Sequence, residues 1–185
     1  MKKLLVFLLI LSTGSVTAQE RHFTKSGKIS FDATTSTSPE KIAATTNTAI
    51  CVLEKGSGKI QFSVVLKSFE FANALMQEHF NENYVESHKF PKAEFRGQIL
   101  QAEKINYQQN AINKVTVKGT MLLHGAQKEI ESNGTITIQN GKIILSSTFV
   151  LLLKDFGIKI PGIVSDKVAE QVKITLEASL DPLNK

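Results

Sequence analysis

Along much of this chain apolar and polar residues take turns, and a period of two is the mark of a strand with one buried and one wetted face. Ile60, Phe62, Val64 and Leu66 interleave with Gln61, Ser63, Val65 and Lys67, while Val172, Ile174, Leu176 and Ala178 interleave with Lys173, Thr175, Glu177 and Ser179. The same rhythm runs through Val115–Lys118, Glu129–Ile138 and Ile143–Leu153, and it predicts shorter strands at 27–33, 42–48, 49–54 and 93–101. Gln139-Asn140-Gly141-Lys142 separates two of these runs. Asn-Gly tolerates the positive φ of a type I′ turn, so a hairpin is expected there. Gly56-Ser57-Gly58 predicts a second hairpin, joining 49–54 to 59–67. Joints this short make neighbouring strands antiparallel, about eight in all.

One stretch breaks the rhythm. Ala72, Leu75, Met76, His79 and Phe80 fall at i, i+3, i+4, i+7 and i+8, the stripe of an amphipathic helix, with Asn73 placed to cap it. Pro91 holds Phe90 extended and restarts a strand near Ala93. An all-β chain with one short helix is an antiparallel barrel or sandwich, and a closed barrel removes the sheet edges that would otherwise need protection. The 185 residues, 42% of them hydrophobic, suffice for one domain with a real core and no disulfide framework. No internal repeat or low-complexity linker divides it.

The first eighteen residues stand apart. Lys2 and Lys3 precede the apolar run Leu4–Leu11, and small residues follow to Ala18. That order is a secretory signal peptide, so the folded domain is expected over 19–185, outside the cytoplasmic membrane, in the periplasm or secreted. The run is well short of the ~20 residues a spanning helix requires. Lys2 and Lys3 account for two of the 22 basic residues, so the remaining 20 against 17 acidic ones leave about +3. The lysines are scattered, without the basic stripe and interleaved aromatics of a nucleic-acid surface, so no nucleic-acid partner is expected and at most peripheral contact with membranes. Cys51, the single cysteine, sits among Ile50, Val52 and Leu53 and is expected to be buried.

Patterns that would carry catalysis are poor. Asp155-Phe156-Gly157 lacks the Gly-rich loop and His-Arg-Asp that accompany it in kinases. Lys55-Gly56-Ser57-Gly58-Lys59 has Ile60 where a phosphate loop needs Ser or Thr. His79, Glu82, Glu86 and His88 show none of the recurrent metal spacings, and a hydrogen-bonding role is expected for them. His124, at a strand end, is read as a structural histidine, and Asn133-Gly134-Thr135 as a turn. No catalytic residue, cofactor or metal is assigned, and the chain is expected not to be an enzyme.

Three segments carry a family resemblance. His79-Phe80-Asn81-Glu82-Asn83-Tyr84 through Lys89-Phe90-Pro91 to Phe95-Arg96-Gly97 resembles the central signature of the YceI-like family. Gly119-Thr120-Met121-Leu122-Leu123-His124-Gly125 resembles its Gly-x-Leu-x-x-His-Gly strand, and Asp155-Phe156-Gly157-Ile158 its late Asp-Phe-Gly-Ile stretch. A departure is 32–50, rich in Thr and Ala, without the His- and Phe-containing opening strand of many members. The resemblance implies an eight-stranded antiparallel lipocalin-like barrel, with the helix capping or packing on it, that holds a polyisoprenoid or similar long-chain amphiphilic lipid in its apolar interior. Alternation alone leaves that interior either packed or open to one ligand. With the resemblance, Phe62, Phe69, Phe71, Leu75, Met76, Phe80 and Phe95 are assigned to the ligand lining. The alternative is a non-enzymatic interaction module with a packed barrel core.

Overall fold

The computed structural model describes residues 20–183; the signal-peptide expectation for 1–18 lies outside them. Its strands are β1 (Arg21–Thr34), β2 (Ala43–Glu54), β3 (Lys59–Val65), the two-residue β4 (Glu70–Phe71), β5 (Lys92–Ile99), β6 (Ala111–Leu123), β7 (Ala126–Gln139), β8 (Lys142–Leu152) and β9 (Val168–Pro182). Eight of them hydrogen-bond antiparallel in the order β1-β9-β8-β7-β6-β5-β3-β2, and β2 returns to β1. The sheet is a closed eight-stranded barrel, and β4 adds two residues to β2 beside Ala44 and Thr45.

Both predicted hairpins form. Asn140 and Gly141 take φ of 51° and 78°, the left-handed pair that a type I′ turn requires. Leu53 pairs with Ile60 across the Gly56-Ser57-Gly58 joint. The strands run longer than the periodicity indicates, and 42–48 and 49–54 are one strand, because barrel closure gives polar Thr and Asn positions a hydrogen-bonding neighbour on each side. Asn133-Gly134-Thr135 is not a turn: it lies inside β7, where Gly134 lets β8 approach so closely that a Cβ would sit 2.6 Å from the Ser146 carbonyl oxygen.

The barrel has two unlike ends. At one, the chain turns tightly at 55–58 and 140–141, and the short turn Ala102–Lys104 packs beneath the strands. Inward side chains here interlock: Leu53 and Leu180 are 0% exposed, and Ile99, Ile136 and Ile143 only 1%. Cys51 is buried among them as expected. The other end receives the connections 35–42 between β1 and β2, 66–91 between β3 and β5, and 153–167 between β8 and β9, with the tight turn 124–125 between β6 and β7. The helix α1 (Ala74–His79) lies in the second of these. Asn73 caps it, its Oδ1 accepting from the backbone N–H of Leu75 at 2.9 Å and of Met76 at 3.4 Å, and a wider turn, Phe80–Tyr84, continues it.

Candidate ligand cavity

Above the packed end the inward rows do not meet, and they leave a cavity of about 400 Å³. That lies within the ~300–1,000 Å³ of typical small-molecule sites. β1 contributes Ile29 and Phe31, β3 contributes Phe62 and Val64, and β6 contributes Met121 and Leu123. Phe149 from β8, with Ile174 and Leu176 from β9, completes the wall. The lining is almost wholly apolar; Glu40, His79 and Lys167 border it from the long connections, and Ser132 and Ser147 border it from the wall.

Of the residues assigned from sequence, Phe62, Phe69, Phe71, Met76, Phe80 and Phe95 all line this space. Leu75 does not. It is 57% exposed on the outer side of α1. Adjacent helical residues point ~100° apart, and Met76 with Phe80, one turn on, takes the inward direction, which turns Leu75 outward. Sequence reasoning missed Phe31, although it occupies an inward position of the 27–33 alternation. Phe31 is the hub of an aromatic cluster, with ring centroids 5.5 Å from Phe69, 5.6 Å from Phe71 and 5.3 Å from Phe80. Phe80 in turn lies 5.2 Å from Phe71 and 5.9 Å from Phe69. The opening strand therefore supplies a phenylalanine after all, despite the departure at 32–50.

Phe95 is held differently. Gly97 of β5 pairs with Gly119 of β6, and the Phe95 ring covers both. A Cβ on Gly97 would come within 2.5 Å of that ring, and one on Gly119 within 2.8 Å. Two glycines, one from each of two sequence segments far apart in the chain, thus make the slot that lays the ring flat on the wall. The Phe-x-Gly spacing and the glycine that opens the second segment have one physical cause.

His124 joins the third segment to these. Its Nε2 lies 2.9 Å from Glu86 Oε2 and its Nδ1 lies 3.0 Å from the Phe156 carbonyl oxygen, with the Phe90 ring edge-on at 4.7 Å. The two ring nitrogens thus face a carboxylate on one side and a backbone carbonyl on the other. The Lys89 ammonium, and after it the His124 ring, hold the Glu86 carboxyl below the usual carboxylate range. His124 is hydrogen-bonded through both ring nitrogens and fastens the 66–91 and 153–167 connections together beside the cavity. His79, Glu82, Glu86 and His88 do not converge: His88 Nδ1 lies 3.7 Å from Glu82 Oε2, Glu86 turns to His124 and Lys89, and His79 borders the cavity. Among the described residues no group of three or more His, Cys, Asp or Glu side chains is placed to hold a metal, and no helix is long and apolar enough to cross a membrane.

The model of the YceI-like domain matches residues 10–180. Among solved structures, a polyisoprenoid binding domain from Saccharophagus degradans implicated in plant cell wall breakdown superposes with a TM-score of 0.74 at 11% identity, covering 88% of this chain and 98% of that one. BcnA of Burkholderia cenocepacia gives 0.68 at 15% identity, covering 84% and 96%. The YCEI protein of Campylobacter jejuni gives 0.56 at 17% identity, covering 75% and 81%. No curated protein matches the chain. At these identities the structural likeness speaks for the fold.

Proposed function

This chain belongs to the YceI-like family, and from that membership and the cavity we propose that it is an exported carrier that shields a polyisoprenoid, or a similar long-chain amphiphile, from water. The observation that carries the reading is the apolar cavity of about 400 Å³ inside the closed barrel. A packed interaction module has no use for such a space, since an empty apolar volume costs stability that side chains of ordinary size would recover. Each buried methylene contributes about 0.8 kcal/mol, so a few isoprene units offset the cost of confining the chain. The buried ring of Phe69 and the half-buried rings of Phe31, Phe71 and Phe80 suit a methyl-branched chain, which they contact by edges and faces without fixing hydrogen bonds. The Saccharophagus domain, named for polyisoprenoid binding, supports the ligand class, and the leader-like first eighteen residues support export.

Mass spectrometry of the organic extract of protein purified from its native host tests this. A carrier brings a lipid in near-stoichiometric amount. Protein that folds normally, yields no extractable lipid and takes up no added isoprenoid alcohol is not one. Sequencing the N-terminus of the exported fraction tests the location, with Gln19 expected as the first residue; Met1 retained on the working protein would defeat it.

A further inference from the structure

The hydrogen-bonded ladder between β7 and β8 stops partway. Pairing runs from Gln139 opposite Lys142 to Gly134 opposite Ser147 and ends there. Yet β7 continues over Ala126–Asn133 and β8 over Thr148–Leu152. Neither half is frayed, because β7 stays paired with β6 as far as Ala126 and β8 with β9 as far as Leu152. Two well-held strands part, and no backbone ladder joins them over this stretch of the wall.

The opening is bounded. At its apex the Ser147 hydroxyl donates to the Asn133 carbonyl at 2.8 Å and lies 2.7 Å from the Ser132 hydroxyl, so serines satisfy the fork where the ladder fails. Across its other end the turn Leu153–Phe156 packs against β7 and is fastened by the His124 bond to the Phe156 carbonyl. Ile130, Ser132 and Phe149 border both the opening and the cavity. Thr135 and Ser146, the outward pair beside the fork, border the cavity as well.

We propose that this window is the route by which the part of a long isoprenoid that exceeds the cavity passes through the barrel wall. The inference rests on the carrier reading. An added strand from a partner protein is the other occupant that unpaired edges invite, but the free edge of β7 carries Lys128, Glu129 and Glu131, the charges with which sheets blunt edge-to-edge pairing. Beyond the serines at the apex, Ile130 and Phe149 give the inner border an apolar face that belongs to the cavity lining, which suits a hydrocarbon chain.

The test clips the window shut from outside. Glu131 and Val150 would face each other if the ladder continued, and both are exposed. The double variant Glu131→Cys, Val150→Cys, with Cys51→Ala to remove the native thiol, is bridged by a short bis-maleimide and then offered farnesol or the much longer solanesol. Bridging is expected to leave farnesol retention unchanged and to cut solanesol retention about tenfold or more, a difference of ~1.4 kcal/mol, while the unbridged variant holds both. Bridged protein that keeps solanesol, or loses both probes equally, overturns the window. An unbridged variant and wild type that bind neither probe would instead defeat the carrier reading. A second measurement does not depend on ligand: with Thr135→Cys, Ser146→Cys as the paired control, oxidation should form the control disulfide readily and the Glu131→Cys, Val150→Cys disulfide far more slowly. Equal rates would mean that the strands pair in solution and that no window exists.

Discussion

The two ends of the barrel are built from the same alternating strands and reach opposite results. At the closed end, branched aliphatic chains such as Leu53, Ile143 and Leu180 interdigitate until none is more than 1% exposed. At the mouth end, four phenylalanines meet one another at 5.2–5.9 Å around a space they do not fill. Aliphatic chains occupy whatever gap faces them, whereas rings in tilted and edge-on contact prop one another apart. The backbone differs as well: β7 and β8 are laddered from the Asn140-Gly141 turn at the closed end and part toward the mouth. A barrel that must hold a space open at one end depends on dense packing at the other.

The strongest way to break this comparison is to place the same charge at both ends. Leu53→Lys buries an ammonium among aliphatic side chains with no partner, which should cost several kcal/mol, a large part of a domain's typical ~5–15. Thermal melting followed by circular dichroism should show little folded protein at 37 °C. At Met76 the long lysine stem lies along the lining and its amine reaches the open mouth, so the variant should melt within a few degrees of wild type while lipid retention falls sharply. If Met76→Lys unfolds the protein as Leu53→Lys does, the mouth is packed core. If it melts normally and keeps a full lipid load, Met76 touches no ligand.

Much of this architecture is legible in the chain, for a physical reason. Period-two alternation is local, so the strands, the Asn140-Gly141 turn and the inward side of most phenylalanines can be read directly. The direction of α1 cannot. A stripe of five apolar or amphipathic residues is wide enough to be laid down two ways, and only the contact of Phe80 with Phe31, 49 residues earlier, selects Met76 over Leu75. The fork between β7 and β8 is equally silent, since both strands alternate well past the point where they part. Gly134 is its one trace, and a glycine flanked by Asn and Thr resembles a turn until the strands around it are seen.

A smaller effect sharpens the comparison at Cys51, within the closed end. Burial pushes its thiol well above the ordinary range, so the native protein should resist a thiol reagent that labels it promptly once unfolded. Because the folded state holds this proton more tightly than the unfolded chain, the contribution to stability is complete below ~8.5 and declines as pH rises beyond it. Prompt native labelling at neutral pH would mean that the closed end opens on the timescale of the reaction.

The smallest effect separates the ends by acid. His22, in the first turn of β1 at the closed end, is buried with no partner for Nδ1 among the described residues, and burial foremost, with Lys55 nearby, pushes its pKa down. The unfolded chain therefore takes up this proton first, and the stability present above pH ~6.5 is lost as pH falls below it. Glu86, at the mouth, has a lowered pKa through Lys89 and His124. Its contribution is present above pH ~4.3 and is lost only as pH falls further. Mild acid should then loosen the closed end while the fastening beside the cavity still holds, and stronger acid should release both. In melting curves recorded across pH, His22→Gln should flatten the decline between about pH 7 and 5, whereas Glu86→Gln should track wild type there and depart from it only in stronger acid. A Glu86→Gln variant that follows wild type down to the lowest pH would show that the bond from His124 to this carboxylate contributes nothing to closing the mouth end, leaving the bond to the Phe156 carbonyl as what fastens it.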